Sequence, residues 1–373
     1  MNPPARPVSP IPPGETLNEE LAIRGWSQAD LADVLGRPVQ AINEIVTGKK
    51  AITPETAVGL SRAFGKPAQY WLELESKYRL DLLLYRASGK VQVPDDVERK
   101  SRIYSKVPLK ELKKLGWIDV DLADLDATER AVCQFLEIDS IDEEPKIQFA
   151  ARKTEKGAPH SQVQIAWICR VRQLAKNQRV PTYSSARLAK EIINLPKLSM
   201  TEETTRTVPL HLAELGIRFV VAKHLTGTRI DGGTVWLNPA SPVVAVSFRY
   251  DRMDWFWFTL MHELAHVLAG DGKSKPMLDQ ALIGRDADST SISPMEEKAD
   301  KAAAAWLVPQ DRLNAFVRST KPYFSRTAVL HFAASVGVHP AVVVGQLQRR
   351  GDIPYTHHRN LLTNARHLFS NGG

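Results

Sequence analysis

The sequence predicts a mainly helical protein with one small β-sheet, an α+β architecture. An all-α N-terminal domain leads through a helical spacer to a mixed C-terminal domain. Three observations carry this. Apolar residues recur at helical spacing through most of the chain, strand signals are confined to a stretch after residue 215, and one almost wholly apolar helix carries His-Glu-x-x-His.

Length and composition set the frame. A chain of 373 residues, 43% hydrophobic and 24% charged, has material for two or three globular domains. The formal charge of +7 is compatible with a nucleic-acid partner but does not select one. Cys133 and Cys169 sit in apolar helical patterns without a Cys-x-x-Cys spacing, as buried thiols of a reducing compartment rather than metal ligands. No cationic-apolar leader and no apolar run of membrane-spanning length is present, so a cytoplasmic protein without a membrane partner is expected.

Residues 1–14 form a proline-rich tail, and residues 15–80 read as five short helices. Leu17, Leu21 and Ile23 lead to a helix end at Gly25-Trp26. Ser27 to Asp30 is a capping-box start, with Leu31, Ala32, Val34 and Leu35 expected to face inward. Gly36 makes a tight turn, and Pro38 suits the first position of a third helix carrying Val39, Ile42, Ile45 and Val46. Thr53-Pro54-Glu55 starts a fourth helix to Phe64-Gly65, and Pro67 a fifth through Trp71 and Leu74.

This pattern resembles a helix-turn-helix domain of the Xre class. The run from Ile52-Thr53-Pro54-Glu55-Thr56 through Ala63-Phe64-Gly65-Lys66 to Tyr70-Trp71-Leu72 is similar to HigA-type antitoxins. In such a domain the second helix braces the DNA backbone and the third enters the major groove. The resemblance implies double-stranded operator DNA as partner, with a homodimer compatible. Gln28 is then placed on a phosphate, Gln40 and Asn43 on base edges, and Lys49 and Lys50 on phosphates. Val39 and Ala41 stand where that class often carries polar residues.

Residues 81–210 read as a spacer. A basic connector covers 77–115, amphipathic helices 120–136 and 161–178 flank an acidic-then-polar loop from Asp139 to Pro159, and 183–215 is again helical. Three strands are then expected at 216–221, 233–237 and 243–248, as a small sheet beside the apolar helix. Its edge could bind an extended peptide through the main chain.

The apolar helix spans Trp255 to Leu268. His262 and His266, four apart, share one face and can hold a single metal, while Glu263 can serve as a proton-accepting carboxylate. A catalytic zinc takes three protein ligands. A second helix, Pro294 to Pro309, offers Glu296 as the third and Asp300, four residues on, as acceptor from a ligating histidine. Tyr250, His339 and His357 are candidates for a role in the transition state, among which the sequence does not choose. His339, before a proline at a helix start, also suits a cap.

His-Glu-Leu-Ala-His, followed by Glu-x-x-Ala-Asp-x-x-Ala-x-x-x-Leu-x-Pro, resembles the ImmA/IrrE family of zinc metallopeptidases. That family usually has Asn where Asp300 stands and Phe where Ala302 stands. The resemblance covers roughly 211–350 and gives residues 211–373 as a zincin-like peptidase domain. It implies bound zinc (Zn2+) and a protein substrate, a repressor or antitoxin cut in a stress or mobile-element response. The rival expectation is a HigA-like regulator or antitoxin whose peptidase domain only senses or binds a partner.

Overall fold

In the computed structural model, the described residues are 10–87, 95–145, 161–273, 277–280 and 293–369. The proline-rich residues 1–9 and most of the loop expected between 139 and 159 lie outside them. The chain divides into two compact units, Met1–Glu98 and Arg99–Gly373.

The first unit holds α1 (Pro13–Arg24), α2 (Gln28–Leu35), α3 (Val39–Val46), α4 (Pro54–Phe64) and α5 (Ala68–Ala87). Their apolar faces enclose one core of Leu17, Leu21, Leu31, Ile42, Ile45, Leu60, Phe64 and Trp71. Start signals act as read. Ser27 and Asp30 form a reciprocal capping box, and the Thr53 side chain accepts from the Thr56 N–H. Two readings change. Pro38 is the residue before α3 rather than its first. Val34, expected to face inward, is 53% exposed. An eight-residue helix in a small bundle buries one narrow stripe, and Val34 falls beside it.

The connector expected at 77–115 is mostly helix. Leu80, Leu82 and Leu83 are strong helix formers with no glycine before Gly89, so α5 runs on to Ala87. It is followed by α6 (Asp95–Lys106) and α7 (Leu109–Lys114).

The second unit continues with α8 (Leu125–Leu136), α9 (Gln162–Lys176), α10 (Ser185–Glu191), α11 (Glu202–Arg206) and α12 (Val208–Glu214). Next come β1 (Arg218–Val221), β2 (Ile230–Trp236), β3 (Pro242–Val246), α13 (Met253–Ala269) and β4 (Met277–Gln280). The unit closes with α14 (Pro294–Leu307), α15 (Gln310–Thr320), α16 (Arg326–Val336) and α17 (Pro340–Arg349). The sheet has four strands in the order β1-β3-β2-β4, with β1 parallel to β3 and the other pairs antiparallel. β4 was not foreseen. Four residues carry no periodic signal, and pairing along the edge of β2 defines them.

Every residue of β3 is buried, which a sheet covered on both faces requires. Val244 and Val246 join the core that holds α13, α14 and α17, while Val243 and Ala245 join the core of α8 and α9. Part of the stretch read as spacer thus forms the second layer of the sheet, where Trp167 donates from Nε1 to the Ala222 carbonyl at 3.1 Å. Cys169 lies in that layer, and burial pushes its thiol up to about 12. Among the described residues no single helix is long and apolar enough to cross a membrane.

Candidate metal centre

α13 is buried along its whole length from Met253 to Val267, between the sheet and the helices α14 and α17. Buried polar groups in such a helix must find partners. His262 and Glu263 are fully buried, and His266 is 2% exposed. Opposite them lies the first turn of α14, started by Pro294 and by Ser293, whose side chain accepts from the Glu296 N–H. Ala299 and Ala303, both buried on that helix, let α14 approach closely.

Two ring nitrogens and both oxygens of one carboxylate converge there. His262 Nε2 lies 3.0 Å from His266 Nε2 and 3.1 Å from Glu296 Oε2, and His266 Nε2 lies 3.6 Å from Glu296 Oε1. Donors about 2.0–2.1 Å from one tetrahedral zinc would stand roughly 3.3 Å apart. The observed separations bracket that value. The other ring nitrogens are held by carboxylates, His262 Nδ1 by Asp300 Oδ1 at 2.9 Å and His266 Nδ1 by Asp271 Oδ2 at 3.0 Å. With Nδ1–H donated outward, both Nε2 lone pairs face the Glu296 carboxylate, an arrangement that a cation resolves.

The electrostatics agree. Burial opposes a charge on His266, but hydrogen bonding to Glu296, the Glu263 charge and Asp271 together raise it to about 9. Burial opposes charge on Glu296 as well, yet the two histidines draw its carboxyl well below the usual range. The metal-free group therefore attracts positive charge. It can hold a metal ion.

Glu263 points to a different neighbour. The Thr234 hydroxyl of β2 donates to Glu263 Oε2 at 2.6 Å, and Glu263 Oε1 is buried without a hydrogen-bond partner among the described residues. Full burial pushes this carboxyl up, against the pull of His262, His266 and Thr234. Gly232 makes the space. A Cβ there would stand 2.8 Å from Glu263 Oε1 and 2.5 Å from Thr259 Cγ2. An unsatisfied, proton-hungry oxygen beside three converging ligands suits a water activated by a metal.

Three participants escaped the sequence reading: Asp271, Thr234 and Arg349. Asp271 had a usable signal, because Gly270 ends α13 in the left-handed region (φ 79°) and turns the next residue back. The Asp271 N–H then donates to the His266 carbonyl at 2.9 Å, which sets its carboxylate under the ring. Thr234 and Arg349 reach the site only through tertiary packing, Arg349 by donating from Nη2 to Asp300 Oδ2 at 2.8 Å. His339 caps α17, its Nδ1 accepting from the Ala341 N–H at 3.1 Å. Tyr250 lies against Trp255, ring centroids 4.1 Å apart, and His357 is exposed.

In the first unit, Gln40 and Asn43 are exposed three residues apart on α3, and Lys49 and Lys50 are exposed in the turn that follows. Gln28, half-buried, opens α2. Gln40 Nε2 donates to Glu44 Oε1 at 3.3 Å.

Known proteins match both units. A helix-turn-helix family model matches residues 19–71, and a model of the IrrE N-terminal-like domain, a peptidase family, matches residues 215–344. The chain is a fusion of an Xre-like helix-turn-helix domain and an ImmA/IrrE-like peptidase domain. Virulence-associated protein I of Dichelobacter nodosus is 44% identical over 73 residues, 19% of this chain and 68% of that protein. An uncharacterized HTH-type transcriptional regulator of Escherichia coli, YddM, is 32% identical over 68 residues, 18% of this chain and 72% of that protein. The Pseudomonas aeruginosa antitoxin HigA, solved with the higBA promoter, is 34% identical, covering 23% of this chain and 98% of that one, with a TM-score of 0.21. The fusion is thus a regulator-type protein carrying a peptidase domain.

Proposed function

We propose that this fusion is a cytoplasmic, zinc-dependent endopeptidase that cuts a repressor or antitoxin and binds operator DNA through its first unit. The observation that carries the reading is the convergence of His262, His266 and Glu296 beside the unsatisfied Glu263 carboxylate. A zinc ion would supply Lewis acidity, activating water and polarising a carbonyl. The chain's own part is positional and acid–base. Asp300 and Asp271 orient the two imidazoles, and Glu296 completes the ligand set. Glu263 takes a proton on Oε1 and returns it to the departing amine. Thr234 holds the other oxygen, so the accepting one stays directed. By this reading residues 15–80 bind DNA, 211–373 cut, and 81–210 join them while also buttressing the sheet.

The rival reading, a regulator whose peptidase domain only senses, draws on the helix-turn-helix relatives. It leaves the buried Glu263 without a purpose, since burying a carboxylate costs stability.

DNA contact rests on Gln28, Gln40, Asn43, Lys49 and Lys50. Two copies of the chain would set two α3 helices on successive half-sites. Lys49→Ala is expected to weaken binding to every sequence and to reduce the salt slope by about one. Asn43→Ala is expected to relax sequence preference, at a cost of about 1–3 kcal/mol on the preferred site. Gel shifts on the protein's own promoter, repeated over a salt series, separate the two. Folded protein that shifts no DNA at low salt would remove the DNA-binding reading.

A further inference from the structure

Asp300 sets a carboxylate next to a ring nitrogen of His262, where the resemblance noted above implies a neutral Asn. The second unit answers that charge locally. Asp300 Oδ1 is bound to His262 Nδ1, and Asp300 Oδ2 accepts from Arg349 Nη2 at 2.8 Å. The arginine is itself fixed. It is the last residue of α17, and its guanidinium carbon lies 3.7 Å from the centroid of the Phe258 ring. Phe258 is one helical turn before His262, with ring centroids 6.2 Å apart, so the clamp and the ligand share one face of α13. Both partners are largely shielded, with side chains 24% and 18% exposed.

Charge arithmetic supports the pairing. Glu296, Asp271 and Asp300 all bind the histidine pair. A divalent ion and the Arg349 guanidinium would together balance these three carboxylates. Without the guanidinium, the Asp300 carboxylate would be partly buried with an excess of negative neighbours and free to turn away from the imidazole.

We propose that Arg349 is a positioning residue of the metal centre, which holds Asp300 on His262 and offsets the charge that an aspartate brings to that position. This rests on the metallopeptidase reading. Its content is a coupling: the effect of Arg349 on the metal centre runs through Asp300 and falls away once residue 300 is neutral.

The test is a double-mutant cycle on the full chain, with wild type, Arg349→Met, Asp300→Asn and the double variant. Two quantities are measured, zinc affinity by chelator competition and the melting temperature of the metal-free proteins. Arg349→Met is expected to weaken zinc binding by at least about 10-fold, the size of a lost outer-shell partner. It should also lower the metal-free melting temperature by about 3 °C or more. In the Asp300→Asn background the same change should alter affinity by less than about 2-fold and leave the melting temperature in place. Loss of the contact with Phe258 occurs in both backgrounds and cancels. Equal losses in both backgrounds would make Arg349 a packing residue and overturn the proposal, as would tighter zinc binding by Arg349→Met. A wild type that binds no zinc would sink the metallopeptidase reading itself. The melting-temperature cycle would then still decide whether Arg349 acts through Asp300.

Discussion

His262→Ala and Glu296→Ala are each expected to empty the metal centre, taking purified protein from about one zinc per chain to almost none. The size of the effect follows from the geometry. Each residue supplies one of three converging donors, all within 4.8 Å of one another. Even an outer-shell partner is worth about 10–100-fold in affinity, so a lost ligand should cost more than about 100-fold. The two variants should differ in stability. His262 is fully buried, and its removal leaves a cavity and takes one hydrogen bond from Asp300, whereas the Glu296 side chain is 22% exposed. Metal analysis by plasma mass spectrometry reads the first effect, and thermal melting the second. Full zinc occupancy in Glu296→Ala protein would remove Glu296 from the ligand set.

Glu263→Gln is expected to leave zinc content and DNA binding unchanged while lowering peptide-bond cleavage by at least about 100-fold. The amide has nearly the same volume, so the space made by Gly232 still accommodates it. It can still accept the Thr234 hydrogen bond. It cannot accept the proton of an attacking water. Loss of zinc in this variant would instead make Glu263 a metal-holding residue, and retained cleavage would remove it as the base.

The parts of this molecule legible in the sequence are those whose signal is local. Ser27 and Thr53 mark helix starts through their own side chains, and the four-residue spacing of His262 and His266 needs only a helix to bring them together. Glu296 and Asp300 follow the same spacing on the second helix, and the structure brings them to the same imidazole. What could not be read depends on distant pairing. β4 exists because β2 has an open edge, and α8 and α9 become a layer because alternate residues of β3 face them. Arg349 is 49 residues from Asp300, and Thr234 is 29 from Glu263, separations that no periodicity spans. The exposed Val34 and Val39 show the converse limit, because an apolar residue at helical spacing is buried only where a neighbour exists to cover it.

The most direct test of the central claim compares protein N-termini in cells expressing the wild type with those in cells expressing Glu263→Gln. Terminal-peptide mass spectrometry is run before and after DNA damage or phage challenge. New N-termini, from a repressor or antitoxin, are expected to appear with the wild type and to be absent with Glu263→Gln. Identical sets of termini in the two strains under every trigger would contradict the peptidase and leave the regulator.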